Sequence, residues 1–222
     1  MTNPWDKRPR QPIGDDNPHD LWMAVGKALS AWEQLEEGLA MIFGQLVDSR
    51  FGSAQIAYGK LSSPQGRSDL LLSAADWVLA GRDDNLLDEI TRLSRAAGNF
   101  SSRRNEIAHG IVMGGFAHGR DLGTYLYPPE YNSRKLLSRA DRLAFVRKHG
   151  PDKYEFDFPF RPMEYAYVAT DVTYYGDQFR ELAWQASDLA YRTRLRCGEL
   201  FPSPDKSQEP APPPQSSNQQ TN

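Results

Sequence analysis

"NLLDEITRLSRAAGNFSSRRNEIAHG", residues 85–110, decides how the chain is read. Leu86, Ile90, Leu93, Ala97, Phe100, Ile107 and Ala108 recur at helical spacing, which predicts a long amphipathic helix from near Asp84 to Gly110. Its end, "RRNEIAHG" at 103–110, gathers two arginines, an asparagine and a histidine. At about 100° per residue, Ser102, Asn105 and His109 share one narrow sector opposite the apolar stripe, with Arg95 beside them a few turns earlier. Arg104 falls inside the stripe, in line with Leu86, Leu93 and Ala97. A guanidinium there needs an anion, because an unpaired buried charge costs about 3–5 kcal/mol. Glu36, set in the apolar stripe of an earlier helix near Trp32 and Leu39, is the expected partner of Arg104.

That earlier helix opens at "NPHD", with Asn17 as N-cap, Pro18 at the first helical position and Asp20 completing a capping-box-like pattern. It carries Val25, Ala28, Trp32, Leu35, Leu39, Ile42 and Leu46 at alternating spacings of three and four. A second helix starts at Ser63 and Pro64 and runs to Gly81, read as a left-handed stop. Between 111 and 168, "IVMGGF", "GTYLYPP", "KYEFDFPF" and "EYAYV" alternate as strands do, interrupted by a short helix around "SRADRLAFVRKHG". The last helix begins near Thr170, with Val172, Tyr175, Phe179, Leu182, Ala186 and Leu189 at heptad spacing. The expected fold is mostly α: a four-helix bundle with a small antiparallel β insert, about 111–168, between the third and last helices. One domain is expected over 17–198, flanked by disordered tails at 1–16 and 199–222, whose Pro, charge and Gln/Ser/Asn content lacks apolar periodicity.

A net charge of -3 gives no global attraction to polyanions, so an RNA site has to be a local patch. The single cysteine, Cys197, offers neither an internal disulfide nor a CxxC zinc pair. No stretch nears the roughly 20 apolar residues of a membrane span, and no secretion signal follows the basic start. The expected location is the cytoplasm.

RNxxxH, as Arg104, Asn105 and His109 near the end of the third helix, resembles the motif of the HEPN superfamily of helical domains. The first helix, with "ALSAWEQLEEGLAMIF", and the last, with "VTYYGDQFRELAWQASDL", also look like that superfamily. The resemblance covers roughly residues 19–110 and 170–197 and leaves the 111–168 insert outside. It implies a metal-independent ribonuclease of toxin–antitoxin or phage-defence type, without cofactor, working as a homodimer on RNA and held by an antitoxin or another protein partner. On that reading Arg104, Asn105 and His109 are catalytic, and Arg103, Ser102 and Arg95 bind substrate. Imidazole titrates near neutrality and serves as base or acid. The guanidinium fork of Arg104 or Arg103 matches two phosphate oxygens of a phosphorane. Other superfamily members keep the bundle and only bind partners or ligands.

Two other readings of the same residues stay open. His109 and Gly110 make a capped helix end, the imidazole against free carbonyls and the glycine as left-handed exit. Glu106 and His109 form ExxH, a di-iron spacing that here lacks its second copy. "GGFAHG" has no phosphate-loop spacing, and no GxSxG elbow is present.

Overall fold

The computed structural model describes residues 3–9, 11–47, 52–117, 120–128, 147 and 165–202. Five helices, α1 (Pro18–Leu46), α2 (Ser53–Lys60), α3 (Pro64–Leu79), α4 (Asp84–His109) and α5 (Ala169–Leu200), account for most of them. A two-stranded antiparallel sheet, β1 (Ile111–Ala117) and β2 (Arg120–Tyr127), lies between α4 and α5 in the chain. The short helix expected around 138–150 (apart from residue 147), the strand expected at 153–160 and the tail from 203 onward lie outside the described residues. No helix among the described residues is long and apolar enough to cross a membrane.

The helix starts follow local chemistry. Asn17 Oδ1 accepts from the His19 amide at 3.1 Å, Ser63 Oγ from Gly66 at 3.2 Å and Asp83 Oδ1 from Leu86 at 3.2 Å. Each side chain satisfies an amide that the first turn leaves without a partner. Gly81 takes the left-handed conformation after α3, with φ +69°. Helix α2 was not expected: of its eight residues only Tyr58 is buried, so its sequence carries no usable periodicity.

The long helices share one core. Trp32 of α1 meets Phe179 of α5 edge to face at 5.0 Å, and Phe179 meets Phe100 of α4 at 5.8 Å. Helices α1 and α5 approach closely at two points. A Cβ built at Gly38 would lie 2.5 Å from Ala186 Cβ, and one at Gly176 would lie 3.2 Å from Ala28. Since 28 faces 176 and 38 faces 186, the two helices run in the same direction. Helix α4 runs against α5, with Glu89 on Arg192 at one end and Arg103 on Tyr167, just ahead of α5, at the other.

The sheet pairs Ile111 with Tyr127 through Gly114 with Thr124, and its register shifts between Gly114 and Phe116. On its other edge β2 exchanges backbone bonds with Asp15 at Thr124 and with Tyr167 at Leu126, the latter at 2.8 and 2.9 Å.

Several of the described residues in the first sixteen, expected as a disordered tail, hold specific contacts to the helices and the sheet. Trp5 stands edge to face on Phe100 at 6.0 Å, Tyr175 Oη donates to the Asp6 carbonyl at 2.7 Å, and Asp15 Oδ2 accepts from the Ala169 amide at 2.7 Å. Arg8 reaches the carboxylate of Asp171, which is fully buried, at 3.6 Å. Composition gave no sign of this, because the segment is held by polar groups and rings on other elements rather than by an apolar stripe of its own.

Burial raises the carboxyl of Asp171 above the usual aspartate range, against the opposing pull of the Val168 amide and then Arg8. A raised folded-state pKa gives a contribution that is present in full below the unfolded value, 3.8, and lost as pH rises through the folded value. Relative to Asp171→Asn, wild type should therefore gain melting temperature as pH falls from neutrality through that window. A constant difference between the two proteins would rule this out. Gly38→Ala should lower stability by about 1–3 kcal/mol, the usual cost of overpacking. Gly26→Ala, on α1 where a Cβ meets nothing within 4 Å, should raise it by up to about 1 kcal/mol. Denaturant titration of both variants decides this.

Candidate functional site at the end of α4

Residues Arg95, Ser102, Asn105 and His109 all stand exposed on α4, as the sector reading requires. His109 has no hydrogen-bond partner among the described residues, and its ring does not close onto a carbonyl. Gly110 is not a left-handed exit either: its φ is -70° and its ψ 158°, so the chain leaves the helix directly as an extended strand. A glycine is needed there for proximity, since a Cβ would lie 2.7 Å from Leu126 Cδ1 and 2.9 Å from the Glu106 carbonyl. Both parts of the capped-end reading are thereby corrected. Gly110 lets β2 lie close to the end of α4, and His109 is left facing outward.

The expected Arg104–Glu36 pair does not form. Arg104 Nη2 reaches Glu33 Oε1 at 3.3 Å, and its Nη1 donates to Asn105 Oδ1 at 3.2 Å. Glu36 instead holds Arg67 of α3 at 3.0 Å and accepts from Trp32 Nε1 at 3.2 Å. The cause is the third helix: α3 brings Arg67 to Glu36, and Arg104, nearer the end of α4, meets α1 one turn earlier. Burial holds the Glu36 carboxyl above its usual range, with Arg67 and Trp32 opposing.

Arg103, expected to bind substrate, turns inward. With its side chain 13% exposed, it pairs with Glu106 Oε2 at 3.0 Å and donates to Tyr167 Oη at 3.3 Å. Tyr167 Oη donates in turn to Glu106, and Lys7 from the N-terminal segment reaches Glu106 Oε1 at 3.5 Å. Burial, then the bond to Glu106 and its charge, drive the Tyr167 phenol far above its ordinary value, so it stays a donor at any working pH. Glu106 is thus fully engaged in holding the N-terminal segment, α4 and the return from the insert together. Among the described residues, no group of three or more His, Cys, Asp or Glu comes together in a way that would hold a metal ion. The ExxH spacing therefore has its glutamate committed elsewhere.

What remains at the surface is an outward face: His109, Asn105 and Ser102, with Arg104 half-exposed beside Asn105 and Arg95 two turns back. On such a face an imidazole can exchange a proton, and a guanidinium can hold an anionic oxygen. Sequence reasoning missed Glu33, Arg67, Lys7 and Tyr167. Tyr167 alone carried a signal, the alternation of "EYAYV", which placed it in a strand without naming its partner.

Glu106→Gln should destabilise the protein by about 1–3 kcal/mol, because it leaves the inward guanidinium of Arg103 without its anion. His109→Ala should change stability by less than about 0.5 kcal/mol, as expected for an exposed side chain with no hydrogen bond among the described residues. Thermal melts of the two variants side by side test both, and a large loss in His109→Ala would restore a structural role for the imidazole. Compared with family models, curated proteins and solved structures, the chain finds no match in any of the three.

Proposed function

We propose that this chain is a HEPN-like helical domain acting as a metal-independent endoribonuclease through Arg104, Asn105 and His109, in a toxin–antitoxin or phage-defence setting. The observation that carries the reading is the state of His109: exposed, without a hydrogen-bond partner among the described residues, and one turn from an asparagine that accepts from a guanidinium. A histidine kept for stability would be engaged with its surroundings, as Arg103 and Glu106 are.

In the proposed reaction, one imidazole takes the proton of a ribose 2′-OH as the oxygen attacks the adjacent phosphorus. Arg104, released from Glu33 by the incoming phosphate, stabilises the phosphorane charge. The bond to the 5′-oxygen breaks, and that oxygen leaves with a proton from a second acid, giving a 2′,3′-cyclic phosphate and a 5′-OH. One histidine cannot hold both proton positions in a single step, so the second comes from the motif of a partner copy across a homodimer. Arg95 and Ser102, on the same face, track the strand. Arg103 has no part in this, being spent on Glu106 and Tyr167.

A second reading rests on the Arg104–Glu33 pair at 3.3 Å. If that pair persists when RNA is present, the face is an interaction surface, and the domain binds a protein or ligand without cleaving anything.

Purified protein should cleave single-stranded or transfer RNA in EDTA and leave 2′,3′-cyclic phosphate ends. His109→Ala should slow cleavage by at least about a hundredfold while keeping its melting temperature. A folded wild type that leaves RNA intact would remove the ribonuclease reading and favour the second one.

A further inference from the structure

A cleft of about 700 Å³ opens between α1, α2, α3 and α4, within the size range of small-ligand sites. Glu36 and Arg67 sit in its wall, 3.0 Å apart and each about one-fifth exposed. Trp32, Leu39, Tyr58, Leu72 and Ala97 give it apolar surface. The hydroxyls of Ser68 and Ser94, 2.8 Å apart, bridge α3 to α4 along the same wall. Burial, and next the charge of Glu36, push the Tyr58 phenol up to about 12, so it is neutral at working pH.

The charges in the wall say what kind of group fits. Two carboxylates, Glu36 and Asp69, stand against two guanidiniums, Arg67 and Arg95, and Arg67 is neutralised by the carboxylate beside it, so at the Glu36–Arg67 pair the cleft does not favour a phosphate. Each oxygen of Glu36 carries one bond, to Trp32 or Arg67, and a carboxylate oxygen accepts two. Arg67 retains N–H groups with no partner among the described residues, its buried Nε among them. Oε1, Oε2 and the guanidinium that holds Oε2 follow one another in that order, which makes acceptor, acceptor, donor. The pairing edge of guanine presents the complement: the 2-amino group and N1–H as donors, then O6 as acceptor. Adenine, cytosine and uracil each mismatch that row in at least one place.

We propose that this cleft binds a guanine base, with Glu36 accepting from N1–H and the 2-amino group and Arg67 donating to O6. The base comes from RNA or from a free guanine nucleotide, and only the RNA source rests on the ribonuclease reading. Continuity favours RNA. Ser94, Gly98, Ser101 and Asn105 form one ridge of α4 at spacings of four, three and four, running from the cleft to the motif. Ser101 and Asn105 are about 6 Å apart along the axis.

The test is calorimetric titration of the full chain with each of the four nucleoside 5′-monophosphates. Guanosine monophosphate should bind, with the other three weaker by about tenfold or more, as expected of a bidentate base contact. Glu36→Gln, which turns one acceptor into a donor, should lose at least about tenfold of that affinity. Should that variant not fold, Gly98→Leu serves in its place: a Cβ at Gly98 meets nothing within 4 Å, so the added bulk narrows the mouth of the cleft without touching the pair. Equal affinity for the four nucleotides, or no binding of guanosine monophosphate at millimolar concentration, overturns the proposal.

Mapping of RNA ends separates the two sources. Cleavage clustered beside guanines, and inhibited by guanosine monophosphate, identifies the base as part of the RNA. Selective nucleotide binding by a protein that leaves RNA intact upholds the proposal with a free nucleotide and removes the ribonuclease reading. Cleavage without base preference, by a protein that does not bind the nucleotide, overturns the proposal and leaves that reading standing.

Discussion

The contact between α1 and α5 at Gly38 and Gly176 sets the rest of the molecule. A helix pair that close leaves no room for a side chain at Gly38, where a Cβ would fall 2.5 Å from Ala186. Because the pair is parallel, the chain has to travel back between its two members, and α4, antiparallel to α5, is the long element that does so. Antiparallel α4 then lies with its core stripe against α1 and α5. Its opposite face is left to solvent, and that face carries Ser102, Asn105 and His109. The exposure of the motif is thus a result of how two glycines let a different pair of helices close.

Features fixed within one or two turns of backbone were legible in the sequence. The starts of α1, α3 and α4 follow from Asn17, Ser63 and Asp83, each close to the amide it caps. The α4 stripe likewise placed Leu86, Ile90, Leu93 and Phe100 in the core and the Asn105–His109 face outside. Partner choice was not legible. Glu36 was matched to Arg104 because both interrupt apolar stripes, yet the angular position of a residue on a helix says nothing about how far along that helix a neighbour crosses. Arg67 stood closer, on an element whose own periodicity made no claim on it. Gly110 shows the same limit from the other side. A glycine after a helix is the ordinary mark of a left-handed turn, and only the approach of Leu126 explains why one stands here in extended backbone.

The charged residues divide by what surrounds them. Arg103 and Glu106 are bound to one another and to Tyr167, and Glu106 also to Lys7, so they act as a clasp over the N-terminal segment. Arg104 is held more loosely, on a glutamate that is 68% exposed. Water screens such a pair, so exchanging Glu33 for another anion costs little. Two arginines adjacent in sequence are thereby assigned opposite duties, one to holding the fold and one to meeting whatever comes to the surface.

The backbone bonds between Leu126 and Tyr167 have a further consequence. They bring the two ends of the segment between them together within the folded sheet, whatever that segment contains. The entropy of closing a loop grows only with the logarithm of its length, by about 0.6 kcal/mol for each doubling. By that relation, the cost of closing the chain between Leu126 and Tyr167 depends only weakly on how many residues stand between them, and the two backbone bonds fix where the chain re-enters the helical frame ahead of α5.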